Sequence, residues 1–305
     1  MNRDILHWLN NYAAYPLDQT LIALVEHARE NSEGEDKSPS LLFDGMTARS
    51  LLQPVQTYLN TSGGTFGWGE FELETAMVAG QWHALRERLD IPFEDSRKWW
   101  VLSFGQGENR ESDVQVYPDM NSQESLRRSI QKAEEVPPAI QSVLEQLAVA
   151  RGVPDALENE ISKAIQKGTH PHPTHVAVYD VGQGNCNAAC DSRNAPIVYF
   201  DYGRPLSFNK HTAPHPWPGF CFTERPPVVL SHWDFDHWGA VQELGGIWNE
   251  KAINSDWIAP RQYVSPTHLR LINHLHKRKK IHFWPAKKKK LNLEPLNLAE
   301  SCHPG

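Results

Sequence analysis

Four side chains able to bind a metal ion or move a proton fall within six consecutive positions: His232, Asp234, Asp236 and His237. Imidazole nitrogen and carboxylate oxygen together suit zinc, with manganese or iron as alternatives. The preceding run Val228, Val229, Leu230, Ser231 reads as a buried strand, so the four groups sit where a strand runs out into a loop. In an extended segment positions 232, 234 and 236 project to one side, and His237 turns with the loop. Gly239 lets the segment that follows approach closely. Trp233 and Phe235 alternate with the polar groups, which argues for a packed loop. Two acids and two histidines buried there without an ion would be costly. The alternative reading is a solvated loop of exposed acids and histidines.

Other groups of this kind are weaker. His170, His172 and His175 are held extended by Pro171 and Pro173 and read as a solvated linker. Cys186 and Cys190 lack a second pair at zinc-ribbon spacing, which argues against a structural zinc. The glycine-rich stretch 61–69 lacks the Gly-Lys-Ser/Thr ending of a phosphate loop and reads as an ordinary loop.

The elements that must position the loop change character along the chain. Apolar residues near helical spacing predict helices over 1–30, with a break at Pro16 and Asp18, and over 46–60 and 70–90. A polar loop over 31–40, a strand over 98–105 and a polar helix over 123–135 follow the same reasoning. Helices are predicted over 139–151 and 154–167. The segment 168–175, with one glycine and two prolines, marks the boundary. Beyond it, 176–181, 196–201 and 227–231 read as strands, each ending in Asp, His or a glycine-rich turn, with a helix over 238–250. The fold class expected is α+β, with a mainly helical region over 1–169 and a second domain over 170–305.

Residues 1–169 carry 15 basic against 26 acidic side chains, and residues 170–305 carry 15 against 11, within a net charge of −7. Opposite signs suggest two modules, of which the basic one better tolerates a polyanionic partner. The basic run over 270–290, with His282, Phe283 and Trp284 interleaved, reads either as a nucleic-acid contact or as a solvated lysine-rich surface. Four scattered cysteines predict a reduced, cytoplasmic protein. The first residues do not form a signal peptide, and no run of about 18 apolar residues predicts a membrane helix.

The loop resembles the His-x-His-x-Asp-His signature of metallo-β-lactamase-fold hydrolases, and more closely the His-x-Asp-x-Asp-His variant in hydrolase domains of competence-type DNA-uptake proteins. Two upstream segments add to the resemblance. Tyr179 to Asn185 is similar to the Asp-Val-Gly-Gln-Gly-Asp opening of that subgroup, with Asn185 in place of its last Asp, and Tyr199 to Gly203 is similar to the strand end that precedes the metal loop. The resemblance covers roughly 175–260. It implies an αβ/βα sandwich half, and one or two zinc ions held by His232, Asp234, Asp236 and His237. It also implies a metal-activated water with Asp236 in the catalytic set, and Asp180 and Asp201 fixing the loops by hydrogen bonds. The substrate implied is a phosphodiester, in a nucleic acid or a nucleotide. Hydrolysis of a small ester, lactone or amide is an alternative, as is an inactive metal- or nucleic-acid-binding module. The family's second-half ligands have no clear counterpart, because no aspartate follows Asp256. A third ligand would come from His268, His274, His276, His282 or His303. The domain is therefore expected to be incomplete and its turnover weak.

Overall fold

The computed structural model describes residues 2–28, 41–80, 98–106, 113–120, 122, 124–166, 172–243 and 246–284. The helices are α1 (Asn2–Tyr12), α2 (Ala48–Asn60), α3 (Pro138–Ala148), α4 (Glu158–Gln166), the single turns α5 (Phe235–Trp238) and α6 (Glu250–Ile253), and α7 (Pro266–Lys277). The chain clusters into two compact units. One comprises Met1–Val153, Leu244–Gly246 and Tyr263–Lys277, and the other Pro154–Glu243, Ile247–Gln262 and Arg278–Gly305.

The first unit is built on a closed antiparallel barrel. Its strands are β1 (Thr20–Ala28), β2 (Leu41–Met46), β3 (Thr75–Gly80), β4 (Trp99–Gln106), β5 (Asp113–Tyr117) and β6 (Leu126–Glu135), joined in the order β1-β2-β3-β5-β6-β4, with β4 closing onto β1. Alternate residues fill the interior: Leu21, Ala23 and Val25 of β1, Leu41 and Phe43 of β2, Ala76 and Val78 of β3, Trp100, Leu102 and Phe104 of β4, Val114 and Val116 of β5, and Ile130 of β6. This is the period of two that a sheet closed on itself requires. Helix α7 packs on β2 and β3 of this barrel. Asn273 of α7 accepts from Gly69 N and donates to Phe71 O, and the indole of Trp99 donates to Tyr263 Oη at 2.9 Å.

This unit corrects the expectation of a mainly helical N-terminal region. Helix α2 lies where a helix was expected, and α1 covers the first part of the expected 1–30 helix. Residues 20–28 and 126–135 are strands, and so are 75–80, within the expected 70–90 helix. In β1 the residues Leu21, Leu24 and Val25 mimic helical spacing because Ile22 and Leu24, on the outer side of the barrel, are as buried as the interior residues. In β6 the apolar residues are Leu126, Ile130 and Ala133, again near a helical period. Only Ile130 reaches the core, and pairing with both β5 and β4 makes the segment a strand. Residues 81–90 and the loop expected over 31–40 lie outside the described residues.

The second unit contains a six-stranded mixed sheet in the order β12-β11-β10-β9-β8-β7. Its strands are β7 (His175–Val178), β8 (Asn187–Cys190), β9 (Pro196–Phe200), β10 (Val228–Val229), β11 (Trp257–Pro260) and β12 (Ile281–Trp284). The pairs β7-β8 and β8-β9 are antiparallel, and β9 to β12 run parallel. Ile161 and Ala164 of α4 pack with Ile258 of β11. A barrel plus this sheet, rather than a helical region plus an αβ/βα sandwich half, is the architecture. The helix expected over 238–250 is also absent among the described residues: a 3-10 turn at Gly239–Val241 and the four-residue α6 stand there instead.

Candidate functional site

The candidate residues gather at the C-terminal ends of the parallel strands β9 and β10. Strand β9 is buried through Tyr199, and its chain then turns at Asp201 with φ +59°, a left-handed conformation that costs energy in a residue with a Cβ. The turn aims the Asp201 carboxylate along the end of β10. There Oδ1 accepts from Ser231 N at 2.7 Å, while Oδ2 accepts from Ser231 Oγ at 2.9 Å, Asn185 Nδ2 at 2.8 Å and His237 Nδ1 at 2.8 Å. Burial opposes ionisation of this carboxyl, but the His237 and Ser231 donors outweigh it and hold Asp201 below the usual carboxylate range. Burial likewise works against a charged His237, yet Asp201, and behind it Asp236 and Asp234, raise its pKa.

The loop is anchored by its apolar residues. Trp233, Phe235 and Trp238 are buried, the indole of Trp233 donates to Pro260 O at 2.8 Å, and Trp233 N donates to Gln262 Oε1 at 2.9 Å. Between these anchors the polar side chains face outward: Asp234 is 70% exposed, His232 36% and His237 17%. The segment is not extended throughout, as alternation of 232, 234 and 236 required. It winds into α5 from Phe235, and that turn brings the His232 and His237 rings to 3.9 Å between centroids. His232 Nε2 lies 3.0 Å from Asp234 Oδ2, and His237 Nε2 lies 3.8 Å from Asp236 Oδ1.

Two glycines make this convergence sterically feasible. A Cβ on Gly203 would lie 1.7 Å from Asp236 O, and one on Gly182, whose φ is +67°, would lie 2.0 Å from Thr212 O. Gly203 N donates to Asn185 O, Asn185 N to Asp236 O, and Tyr202 N to His237 O, so three segments are stitched by backbone alone. Asn185 departs from the Asp of the resembled motif with a visible effect: its amide donates to Asp201, which a second carboxylate could not do. Asp180 accepts from Gly182 N within its own turn.

The other predicted groups are dispersed. His282 Nε2 pairs with Asp256 at 3.1 Å; His268, His274 and His276 lie on α7, in the barrel unit; His303 and residues 285–290 lie outside the described residues. In the basic run, Arg278 pairs with Glu250 and Lys280 with Asp256. His172 and His175 are exposed, His170 is outside the described residues, and Cys186, Cys190 and Cys221 are free thiols. Ser231 and Gln262 were not singled out from sequence. The signal for Ser231 was its place directly between the buried strand and His232. Gln262 carries no local signal.

By type the donors fit zinc or manganese: two imidazoles and two carboxylates on one loop, with a buried carboxylate behind one imidazole. Among the described residues, no three or more His, Cys, Asp or Glu side chains are grouped so as to hold a metal ion. No helix among them is long and apolar enough to cross a membrane. Comparison of the chain with protein-family models, with curated proteins and with solved structures gives no match.

Proposed function

We propose that this loop holds a divalent metal ion, zinc in the first instance, and that the chain hydrolyses a phosphodiester. The observation that carries the reading is the clamp on His237. Its Nδ1 is engaged by the buried Asp201, so its Nε2 is left toward Asp236 and the outer side of the loop, 3.9 Å ring to ring from His232. A carboxylate behind a histidine fixes its tautomer and raises its basicity as a ligand. The loop's likeness to the His-x-Asp-x-Asp-His signature adds support.

His232, Asp234, Asp236 and His237 would hold the ion. The atoms that pair with each other at 3.0 Å, His232 Nε2 and Asp234 Oδ2, are the ones that would turn to it, and the exposure of Asp234 makes that movement cheap. A bound ion of this kind acts as a Lewis acid and makes water nucleophilic near neutral pH. Asp201 keeps the His237 ring in place, Ser231 and Asn185 keep Asp201 in place, and Asp236, 39% exposed, accepts a proton from water at the loop surface.

Elemental analysis of the purified full chain tests the metal. His237→Ala and Asp236→Ala are each expected to weaken zinc affinity about 10-fold or more; unchanged zinc content would remove these residues as ligands. Turnover of a generic phosphodiester and of single-stranded DNA with added Zn²⁺ or Mn²⁺, lost in Asp236→Asn, supports hydrolysis. A second reading is a metal- or nucleic-acid-binding module without turnover; the lack of a three-donor group among the described residues weighs against a complete hydrolytic centre. Stoichiometric metal without turnover selects it.

A further inference from the structure

The chain leaving Asp201 carries a cation, Arg204, with no counter-ion among the described residues. Arg204 follows Gly203, whose backbone is pressed against Asp236 O. The Cβ position of Gly184 lies 3.1 Å from both Arg204 N and Asp236 O, which puts the Arg204 backbone beside that of the candidate metal loop. The side chain is half-buried, and its guanidinium carbon sits 4.9 Å from the centroid of the Trp217 ring. Trp217 packs edge-on to Phe220 at 6.0 Å, and Phe220 in turn contacts Tyr202 at 4.9 Å and Tyr179 at 5.2 Å. The guanidinium thus rests on a braced aromatic wall rather than waving in solvent.

Its missing partner is the informative feature. Arg261 also stacks on a ring, Phe283 at 4.4 Å, yet it has Asp155 at 2.7 Å. Arg278 has Glu250, and Arg128 has Asp18. Arg204 has no carboxylate within ion-pair distance among the described residues, and from Tyr202 to Phe222 the sequence contains no Asp or Glu. Burial, only partly offset by Tyr202, pulls its pKa down from the ordinary guanidinium value. A partly desolvated charge left unpaired is costly, and an incoming anion removes that cost. The planar fork of a guanidinium matches two oxygens of a phosphoryl group, and cation–π contact pre-orients it for that geometry.

We propose that Arg204, backed by Trp217, is the residue that recognises the substrate's phosphoryl oxygens beside the 231–237 loop. The inference rests on the hydrolytic reading of that loop, which supplies the reason for an anion to be there.

The test is calorimetric titration of the full chain, stripped of metal, with inorganic phosphate, thymidine 5′-monophosphate and acetate. Arg204→Gln is expected to weaken phosphate and nucleotide binding about 10-fold or more, the scale of a lost charge-assisted pair, with zinc content and melting temperature unchanged. Arg204→Lys keeps the charge and loses the fork, so an intermediate loss is expected. It serves as the deciding variant if the glutamine protein melts early. Equal phosphate affinity in wild type and both variants, no phosphate binding by wild type, or tighter binding of acetate than of phosphate would overturn the proposal. The two readings fail separately. Arg204-dependent phosphate binding in a chain without zinc affinity or turnover sinks the hydrolase and keeps the anion site. Zinc lost in His237→Ala, with phosphate binding indifferent to Arg204, does the reverse.

Discussion

Asp44 in the barrel unit and Asp201 in the sheet unit are both almost fully excluded from solvent, at 0% and 2% exposure, and both are well supplied with donors. Asp44, on β2, accepts from Ser265 Oγ, from Thr267 N at 2.7 Å and from Thr267 Oγ1 at 2.6 Å. Burial and the nearby Glu26 nevertheless push its pKa up to about 6, against the pull of Ser265, Thr267 and His268. Asp201 goes the other way: hydrogen bonds from His237 and from Ser231 N and Oγ, with the charge of His237 adding to them, outweigh its burial, whereas Asp44 has Glu26 working against its ionisation. Hydrogen bonds alone do not decide the ionisation of a buried carboxyl; their balance against burial and against neighbouring charge does. Hydroxyl donors can turn around when a carboxyl takes up a proton, whereas an imidazolium cannot. Asp44 therefore serves as a clasp between β2 and α7 that tolerates either state, and Asp201 as a fixed anion that orients a candidate ligand.

The largest expected effect breaks the fixed anion. Asp201→Ala leaves His237 Nδ1, the Asn185 amide and Ser231 N without their acceptor, and should cost the sheet unit about 3–5 kcal/mol in calorimetric unfolding. A loss under about 1 kcal/mol would mean that the clamp is not holding the loop.

The next effect separates the two carboxyls by pH. The folded pKa of Asp44 lies above its unfolded value, so the folded barrel holds the extra proton between them. The contribution of Asp44 to its stability should be greatest below about pH 4, fall as pH rises to about 6, and level off above, a change of about 3 kcal/mol. Asp201 has a depressed folded pKa, so its contribution is present above about pH 4 and is lost as pH falls further. Urea unfolding at pH 4 and pH 7, with wild type and Asp44→Asn, checks this. A slope that survives in Asp44→Asn would assign it to another group.

The smallest effect is Asp234→Ala. Its pair with His232 is exposed, so in the metal-free chain the unfolding free energy should change by no more than about 0.5 kcal/mol. A larger change would show that Asp234 supports the loop rather than standing free to turn toward an ion.

Reading the sequence worked where the signal was local. The buried strand before Ser231, the packing of Trp233 and Phe235 that anchors the loop, and the turn after β9 lie within a few residues of the groups they position, whereas the extended alternation of 232, 234 and 236 gave way to the turn of α5. The barrel was not legible, because its closure depends on β4 pairing with both β1 and β6, and because double burial in β1 and a single core residue in β6 both imitate a helical period. The contact of Asp44 with Ser265 spans 221 positions and leaves no mark in either segment. Asn185 stood out as a departure from a motif, and only the geometry supplied its reason. Arg204 escaped notice because its signal is an absence, a stretch without carboxylates, which composition averages away.

The membership of α7 in the barrel unit bears on how the protein is made. Residues 263–277 lie between β11 and β12 in the chain, yet they close the polar clasp on β2, and Leu269, Leu271, Ile272 and Leu275 of this stretch are buried. A ribosome that has finished every barrel strand has still to synthesise most of the sheet before the barrel's last helix emerges. The N-terminal unit, first to be translated, is in this protein the one that must wait.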